Sequence, residues 1–160
     1  MEFSPTERER VEPFRYGNSF PPRPIYLRAL TLVGGSEILA TYIERSEAAG
    51  RSTYVAWVLL PKSVVRVYGE GPAGWDLTPR GKDPDEVAGE VRPLSDLIGV
   101  AITDLEQWDG FSNDVSWSAG LTLNFGSSAF EFPALGLPGN DYLRGTFDAF
   151  THKLLRVVSG

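Results

Sequence analysis

The pattern of apolar and polar positions between residues 25 and 135 predicts mostly β-strands. Runs rich in β-branched, aromatic and leucine residues alternate with short turns that contain Gly, Pro and Ser. The segments predicted as strands are EILATYIERS (37–46), TYVAWVLL (53–60), VVRVYGEG (64–71), PLSDLIGVAITD (93–104), VSWSAGLTLNF (115–125) and AFEFPAL (129–135). The segment YLRALTLV (26–33) fits either a strand or a short helix, and LEQWDGFSND (105–114) is typical of a turn-rich connection. We therefore expect about seven strands.

The stretch VSWSAGLTLNFGSSAF (115–130) carries no charge, although it alternates between apolar and small polar side chains. Period 2 places the two sets on opposite faces of a strand. The set predicted to face the core is Trp117, Ala119, Leu121, Leu123 and Phe125; the other set is Ser116, Ser118, Gly120, Thr122 and Asn124. A face without charges lacks the residues that normally prevent edge pairing. We expect the polar positions Ser116, Ser118, Thr122 and Asn124 to be covered by the N-terminal arm or by a partner subunit.

The pattern changes at the C-terminal end, where an amphipathic helix is predicted over about residues 140–158. The apolar positions recur there at spacings of 4, 3, 4 and 3, and they are Leu143, Phe147, Phe150, Leu154 and Val157. His152 lies off this stripe and is expected to face solvent. The fold class that follows is mainly β (α+β), with antiparallel strands and one C-terminal helix.

Residues 1–24 form a separate segment because they contain five prolines, which predicts an extended arm rather than a helix. Its aromatic residues, among them Phe14 and Phe20, fit an arm that docks on this or a neighbouring subunit; a frayed terminus is the alternative. Residues 25–160 are predicted to form a single β-domain. Its longest loop is expected at 71–92, where prolines, glycines and charges are dense.

Composition excludes several classes of function for a chain of 160 residues with a net charge of −6. The absence of cysteine removes disulfides and thiolate chemistry, and a single histidine removes a multi-histidine metal cage. The negative charge disfavours nucleic acid and anionic membranes. The sequence predicts no transmembrane segment and no secretory signal, so we expect a cytoplasmic protein. Abundant Gly, Ala, Val and Arg with little Lys are typical of a high-GC bacterial genome.

Candidate chemistry is weak. Acidic residues cluster at 104–114 and at 76–90, but neither cluster has the ligand spacing of a calcium loop or the burial that a catalytic carboxylate pair requires. His152 has no nucleophile motif near it in the sequence. We therefore predict no enzyme, no cofactor and no metal site, with an enzyme that uses acidic loop residues as a remote alternative.

The aromatic residues of the predicted loops have two interpretations. Trp75, Trp108 and Phe111 fit inward packing or interface anchors, and inward packing is favoured for the tryptophans. Trp57 and Trp117 follow strand patterns and are predicted to lie in the core.

Four segments together resemble a bacterial pleckstrin-homology-like domain: SEILATYIERS, WVLLPKSVVRVYGEG, RPLSDLIGVAI and LTLNFGSSAFEFPA followed by the helix. The resemblance covers roughly residues 35–158. It implies a bent, nearly orthogonal sandwich or open barrel of about seven strands with a helix at one end. The turn Leu60–Ser63 and the long loop at 71–92 depart from the family pattern.

The resemblance implies lipid-headgroup, peptide or protein binding rather than catalysis. Arg45 and Arg51, in the first predicted hairpin, lie among Glu44 and Glu47, which argues against a phosphate pocket. The first hypothesis is a non-catalytic protein-interaction or assembly module with a protein partner or a homo-oligomer, and a ligand- or lipid-headgroup-binding domain is the alternative. The predicted partner-binding residues are Phe14, Phe20, Ser116, Ser118, Thr122, Asn124, Trp75, Trp108 and Phe111.

Overall fold

A computed structural model describes residues 4–16, 19–76, 83–109, 115–139 and 141–160. Its helices are α1 (Pro5–Val11), α2 (Arg23–Val33) and α3 (Asp141–Ser159). Its strands are β1 (Ala40–Ala48), β2 (Arg51–Leu59), β3 (Ser63–Pro72), β4 (Glu86–Pro93), β5 (Gly99–Asp109), β6 (Val115–Asn124) and β7 (Ala129–Phe132). The predicted mainly-β class with seven strands and a C-terminal helix is confirmed for the described residues.

Contacts divide the chain into two compact units, Met1–Val91 and Arg92–Gly160. The first contains a sheet of order β1-β2-β3-β4, in which β2 is antiparallel to both β1 and β3. The second contains a sheet of order β5-β6-β7, in which β6 is antiparallel to both neighbours. The prediction of one domain over 25–160 stays a prediction.

The core of the first unit forms where α2 packs on β2 and β3. Ile25, Ala29 and Val33 are spaced by four residues, which places them on one face of the helix, and all three are buried. They meet a β2 strand that is buried from Tyr54 to the end of the strand. The amphipathic pattern of 26–33 therefore belongs to a helix rather than to a strand.

Helix α1 corrects the prediction of an extended arm over residues 1–24. Pro5 occupies the first turn, where its missing N–H costs no hydrogen bond. Ser4 caps the helix: its hydroxyl accepts the Glu7 N–H, and the Glu7 carboxylate accepts the Ser4 N–H, both at 3.2 Å. One turn of 3-10 helix, Glu12–Phe14, follows and carries Phe14 into the core. Pro5 thus lies at the start of this helix instead of preventing it.

Two segments predicted as loops contain strand. β4 begins at Glu86, so residues 86–92 of the predicted loop 71–92 lie in the sheet, while residues 77–82 lie outside the described residues. Strand β5 runs through 105–109, which were predicted as part of a turn. Glu90 of β4 accepts a hydrogen bond from Arg66 of β3 at 2.8 Å. The charged residues of this segment therefore belong to a strand and not to a loop.

Helix α3 packs on the second sheet as its periodicity predicts. Phe147, Phe150 and Leu154 are buried, and His152 is exposed. Phe132 of β7 stacks on Phe147 with ring centroids 5.1 Å apart and contacts Phe150 at 5.0 Å. None of the helices in the described part of the chain is long and apolar enough to cross a bilayer.

Candidate interaction surface

Three of the aromatic residues predicted to bind a partner belong to the first unit, and two of them lie in its core. Phe14 is fully buried, and Trp75 is 3% exposed and donates its indole N–H to the Ser52 carbonyl at 2.9 Å. Inward packing of Trp75 is therefore confirmed, and neither side chain offers surface to a partner. Phe20 is half-buried beneath the guanidinium of Arg15, 4.9 Å from the ring centroid. The side chain of Trp108, and Phe111 as a whole, lie outside the described residues.

The polar positions of β6 do not form one exposed face. Ser118 is fully buried and donates its hydroxyl to Asp148 of α3 at 2.9 Å, so the chain's own helix covers it. Thr122 is half-buried and donates to the Glu131 carboxylate at 3.0 Å. Asn124 is exposed, and its amide oxygen accepts the N–H of the turn that follows. The side chain of Ser116 lies outside the described residues.

Burial changes sides along β6, which corrects the prediction that Trp117 lies in the core. Leu121 and Leu123 are buried, as predicted, but Trp117 is 53% exposed. Strand β7 pairs only with Leu121–Asn124. Beyond that point α3 contacts the sheet through polar groups, the pairs Ser118–Asp148 and Glu106–Arg144. The face that is covered therefore depends on where β7 ends.

Six large apolar side chains are exposed in the described part of the second unit, and Leu135 and Leu155 are the least exposed of them. The four most exposed are Ile98 at 72%, Ile102 at 67%, Leu105 at 56% and Trp117 at 53%. We call them the β5 surface. The register of β5 and β6 shifts between Ile102 and Asp104, so Ile102 and Leu105 pair with residues two apart on β6. This shift places them on the same side of the ladder. Trp117 lies two residues beyond the partner of Leu105, as a diagonal neighbour on that side.

The backbone of β5 is also accessible, because β5 is an edge strand that pairs only with β6 within the described sheet. Every residue from 101 to 107 is exposed. The opposite edge of the sheet, β7, has only four residues. Natural proteins usually keep edge strands short or protect them with lysine, proline or a covering element. A long, exposed and partly apolar edge is the arrangement that binds other chains.

The charged residues of β5 are all acidic: Asp104, Glu106 and Asp109. The Glu106 carboxylate accepts from Arg144 of α3. Asp104 accepts the N–H of Leu105 at 3.0 Å and is exposed. The apolar side chains of this edge are therefore accompanied by negative charge.

Arginines of the first hairpin are engaged by carboxylates. Arg45 donates to Asp76 at 2.6 Å and to Glu47 at 2.9 Å. Arg51 donates to Glu70 at 2.7 Å and to Asp85 at 2.8 Å. The hydrogen bond to Asp76 raises the pKa of Arg45 above its usual range. Two carboxylates on each guanidinium oppose phosphate binding.

Two observations on the described residues bear on small-molecule and metal chemistry. A groove of about 530 Å³ lies between α2 and Val87 and Gly89 of β4. Arg28 is the one charged group in its lining, so it presents no acid–base pair. No cluster of three or more potential metal ligands occurs in the part of the chain that the structure describes.

Sequence reasoning missed the exposed positions Ile98, Ile102 and Leu105. The apolar spacing of 102 and 105 is three, which breaks the period of a strand, and the acidic residues at 104 and 106 interrupt the apolar run. Together these two features of the sequence are typical of a bulged edge strand. Comparison with protein-family models, with curated proteins and with solved structures gives no match.

Proposed function

We propose that this chain is a non-catalytic protein-interaction module that binds a partner protein through the β5 surface. The observation that carries the proposal is the exposure of Ile98, Ile102 and Leu105 along or next to β5, together with Trp117 on the adjacent strand β6. Several large apolar side chains exposed on neighbouring strands are typical of protein-binding sites. Burial of one such side chain contributes about 1.5–3 kcal/mol, so the set can drive association.

Trp117 is expected to contribute most to binding. Tryptophan is enriched among the residues that dominate interfaces because it buries a large area with few rotatable bonds. Its cross-strand partner Gln107 lies on the same side of the ladder and supplies a polar group for a rim. An apolar centre with polar neighbours favours a protein partner over a small ligand.

Site-specific photocrosslinking in the native host tests the proposal. A photoreactive phenylalanine analogue replaces Leu105, Trp117 or, as a control, Leu155 of α3, which is also exposed, at 36%. We expect one protein to crosslink from positions 105 and 117 and not from position 155. Equal crosslinking from all three positions would contradict the proposal.

Titration of the purified partner then provides the quantitative measurement. Trp117→Ala is expected to weaken binding about 30-fold or more, as for a residue that dominates an interface, and Leu155→Ala to leave binding unchanged. Circular dichroism checks that the variants keep the fold. Unchanged affinity of folded Trp117→Ala would overturn the proposal.

A further inference from the structure

We infer that the partner segment is extended and positively charged, and that it adds as a further strand to the outer edge of β5; this inference rests on the proposed function. Strand addition needs an edge with accessible peptide groups, and β5 has a neighbour on one side only in the described sheet. Gly99–Asp109 contains no proline, so each of its residues carries a backbone N–H.

The part of β5 best suited to pairing lies beyond the register shift. Asp104–Asp109 keeps a regular register with Gly120–Val115 of β6, whereas Ile102 and Asp104 are separated by the shift. This regular part has the length of an ordinary strand. A bulge interrupts a ladder, so we expect the added strand to pair along Asp104–Asp109.

Charge selects a basic segment over a second copy of this chain. An antiparallel pair of β5 strands centred on Leu105 would set Asp104 of one copy opposite Glu106 of the other, and like charges across strands are destabilising. The charged residues of β5 are all acidic, and the chain carries a net charge of −6. Lysine or arginine in the added strand would instead face opposite charges.

The side chains of β5 also specify the pattern of the added segment. Leu105 on one face of the strand alternates with Asp104 and Glu106 on the other. A strand placed beside Asp104–Glu106 meets Leu105 with one side chain and a carboxylate with the side chain on either side of it. The geometry therefore fits a segment in which apolar and basic residues alternate.

The probe for this inference is an end-blocked peptide of alternating valine and lysine. Two analogues isolate its features: one has glutamate in place of lysine, and one is N-methylated at alternate residues, which removes strand hydrogen bonds while keeping charge and apolar area. Binding is followed by titration, and hydrogen exchange of backbone amides reports where the peptide lies. We expect the valine–lysine peptide to bind and to slow exchange within Asp104–Asp109.

Each analogue is expected to bind at least about tenfold more weakly. Asp104→Asn keeps the side-chain oxygen that accepts the Leu105 N–H but removes the charge, so it should weaken binding several-fold and reduce its dependence on salt. The matched control is Glu37→Gln, which changes net charge equally at an exposed position outside β5.

The outcomes separate this inference from the proposed function. Equal binding of the N-methylated peptide overturns strand addition, and equal binding of the glutamate peptide overturns the basic partner. Concentration-dependent dimerisation that Leu105→Asp abolishes would identify a second copy as the occupant and overturn the inference. A partner crosslinked from positions 105 and 117 would still support the proposed function in each of these cases.

Discussion

Trp57 donates its indole N–H to the Glu44 carboxylate at 2.7 Å, and both side chains are buried in the first unit. Glu44 on β1 is paired with Val55, so Trp57 is its diagonal neighbour on β2. Transfer of an unpaired carboxylate or indole N–H from water into a protein core is costly. This contact therefore allows a tryptophan with no exposed surface and a glutamate to share one core.

Glu44→Ala is expected to lower the free energy of unfolding by about 1–3 kcal/mol, because the indole N–H loses this acceptor inside the core. Glu44→Gln keeps a side-chain oxygen at the same distance from the backbone, so we expect a smaller decrease in the free energy of unfolding. Urea unfolding followed by tryptophan fluorescence measures both values. An alanine variant as stable as the glutamine variant would contradict this account of the contact.

Gly69 permits the close approach of α2 to β3. A Cβ placed there would lie 2.5 Å from Cδ1 of Ile25 and 3.2 Å from the Trp75 ring. Gly69→Ala should therefore destabilise the protein by about 1–3 kcal/mol through overpacking. Gly35→Ala is the control, because a Cβ there meets nothing within 4 Å, and we expect it to change stability by less than about 0.5 kcal/mol. Thermal unfolding compares the two variants.

The sequence pattern predicted those helices and strands whose periodicity is visible within the element itself. The apolar stripe that contains Phe147, Phe150 and Leu154 predicts α3, since it repeats over several turns. The alternation around Leu121 and Leu123 predicts β6 for the same reason. The 3.6-residue and two-residue periods are properties of the backbone, so they can be detected without knowing the neighbours.

The exposure of the candidate site depends on which elements pack against β5 and β6, and the sequence pattern does not show that packing. Alternation placed Trp117 and Leu121 on one face, but it contains no information on where β7 ends. Ser118 looked like a surface residue because a serine pattern does not reveal that Asp148 lies opposite it. The exposure of Leu105 follows from the strand order of the second sheet, which is a property of the tertiary fold.

Ser118→Ala tests the covered position on β6. The hydroxyl is fully buried and donates to Asp148, and hydrogen bonds to charged groups are the stronger ones, so the loss is expected to be about 1.5–3 kcal/mol. Thr122→Val removes a hydroxyl from a hydrogen bond at the surface and should cost less than about 0.5 kcal/mol. Chemical denaturation of the two variants gives the comparison. A loss of partner binding with no loss of stability in Ser118→Ala would instead support the predicted partner-binding role.

Tyr68 and Glu70 form a pH-sensitive pair at the surface of β3. The Tyr68 hydroxyl donates to the Glu70 carboxylate, which also accepts from Arg51 at 2.7 Å. The bond to Glu70, together with partial burial, raises the pKa of Tyr68 from 10.0 to about 12. The same hydroxyl and Arg51 lower the pKa of Glu70.

Because the two pKa values shift in opposite directions, the stabilisation by this pair is lost at both high and low pH. The pKa of Tyr68 is higher in the folded state, so its contribution is complete below pH 10.0 and is lost as the pH rises through about 12. The pKa of Glu70 is lower in the folded state, so its contribution is present above the ordinary carboxyl pKa and is lost as the pH falls through the lowered value.

Tyr68→Phe should therefore remove a tyrosine that ionises near pH 12 and raise the pKa of Glu70 towards its ordinary value. Ultraviolet titration of tyrosinate measures the first change, and carboxyl chemical shifts measure the second. Burial also raises the pKa of Tyr16 and Tyr26, so the informative quantity is the difference between the wild-type and Tyr68→Phe titrations. A difference curve centred at the ordinary tyrosine pKa would show that the bond to Glu70 is absent in solution.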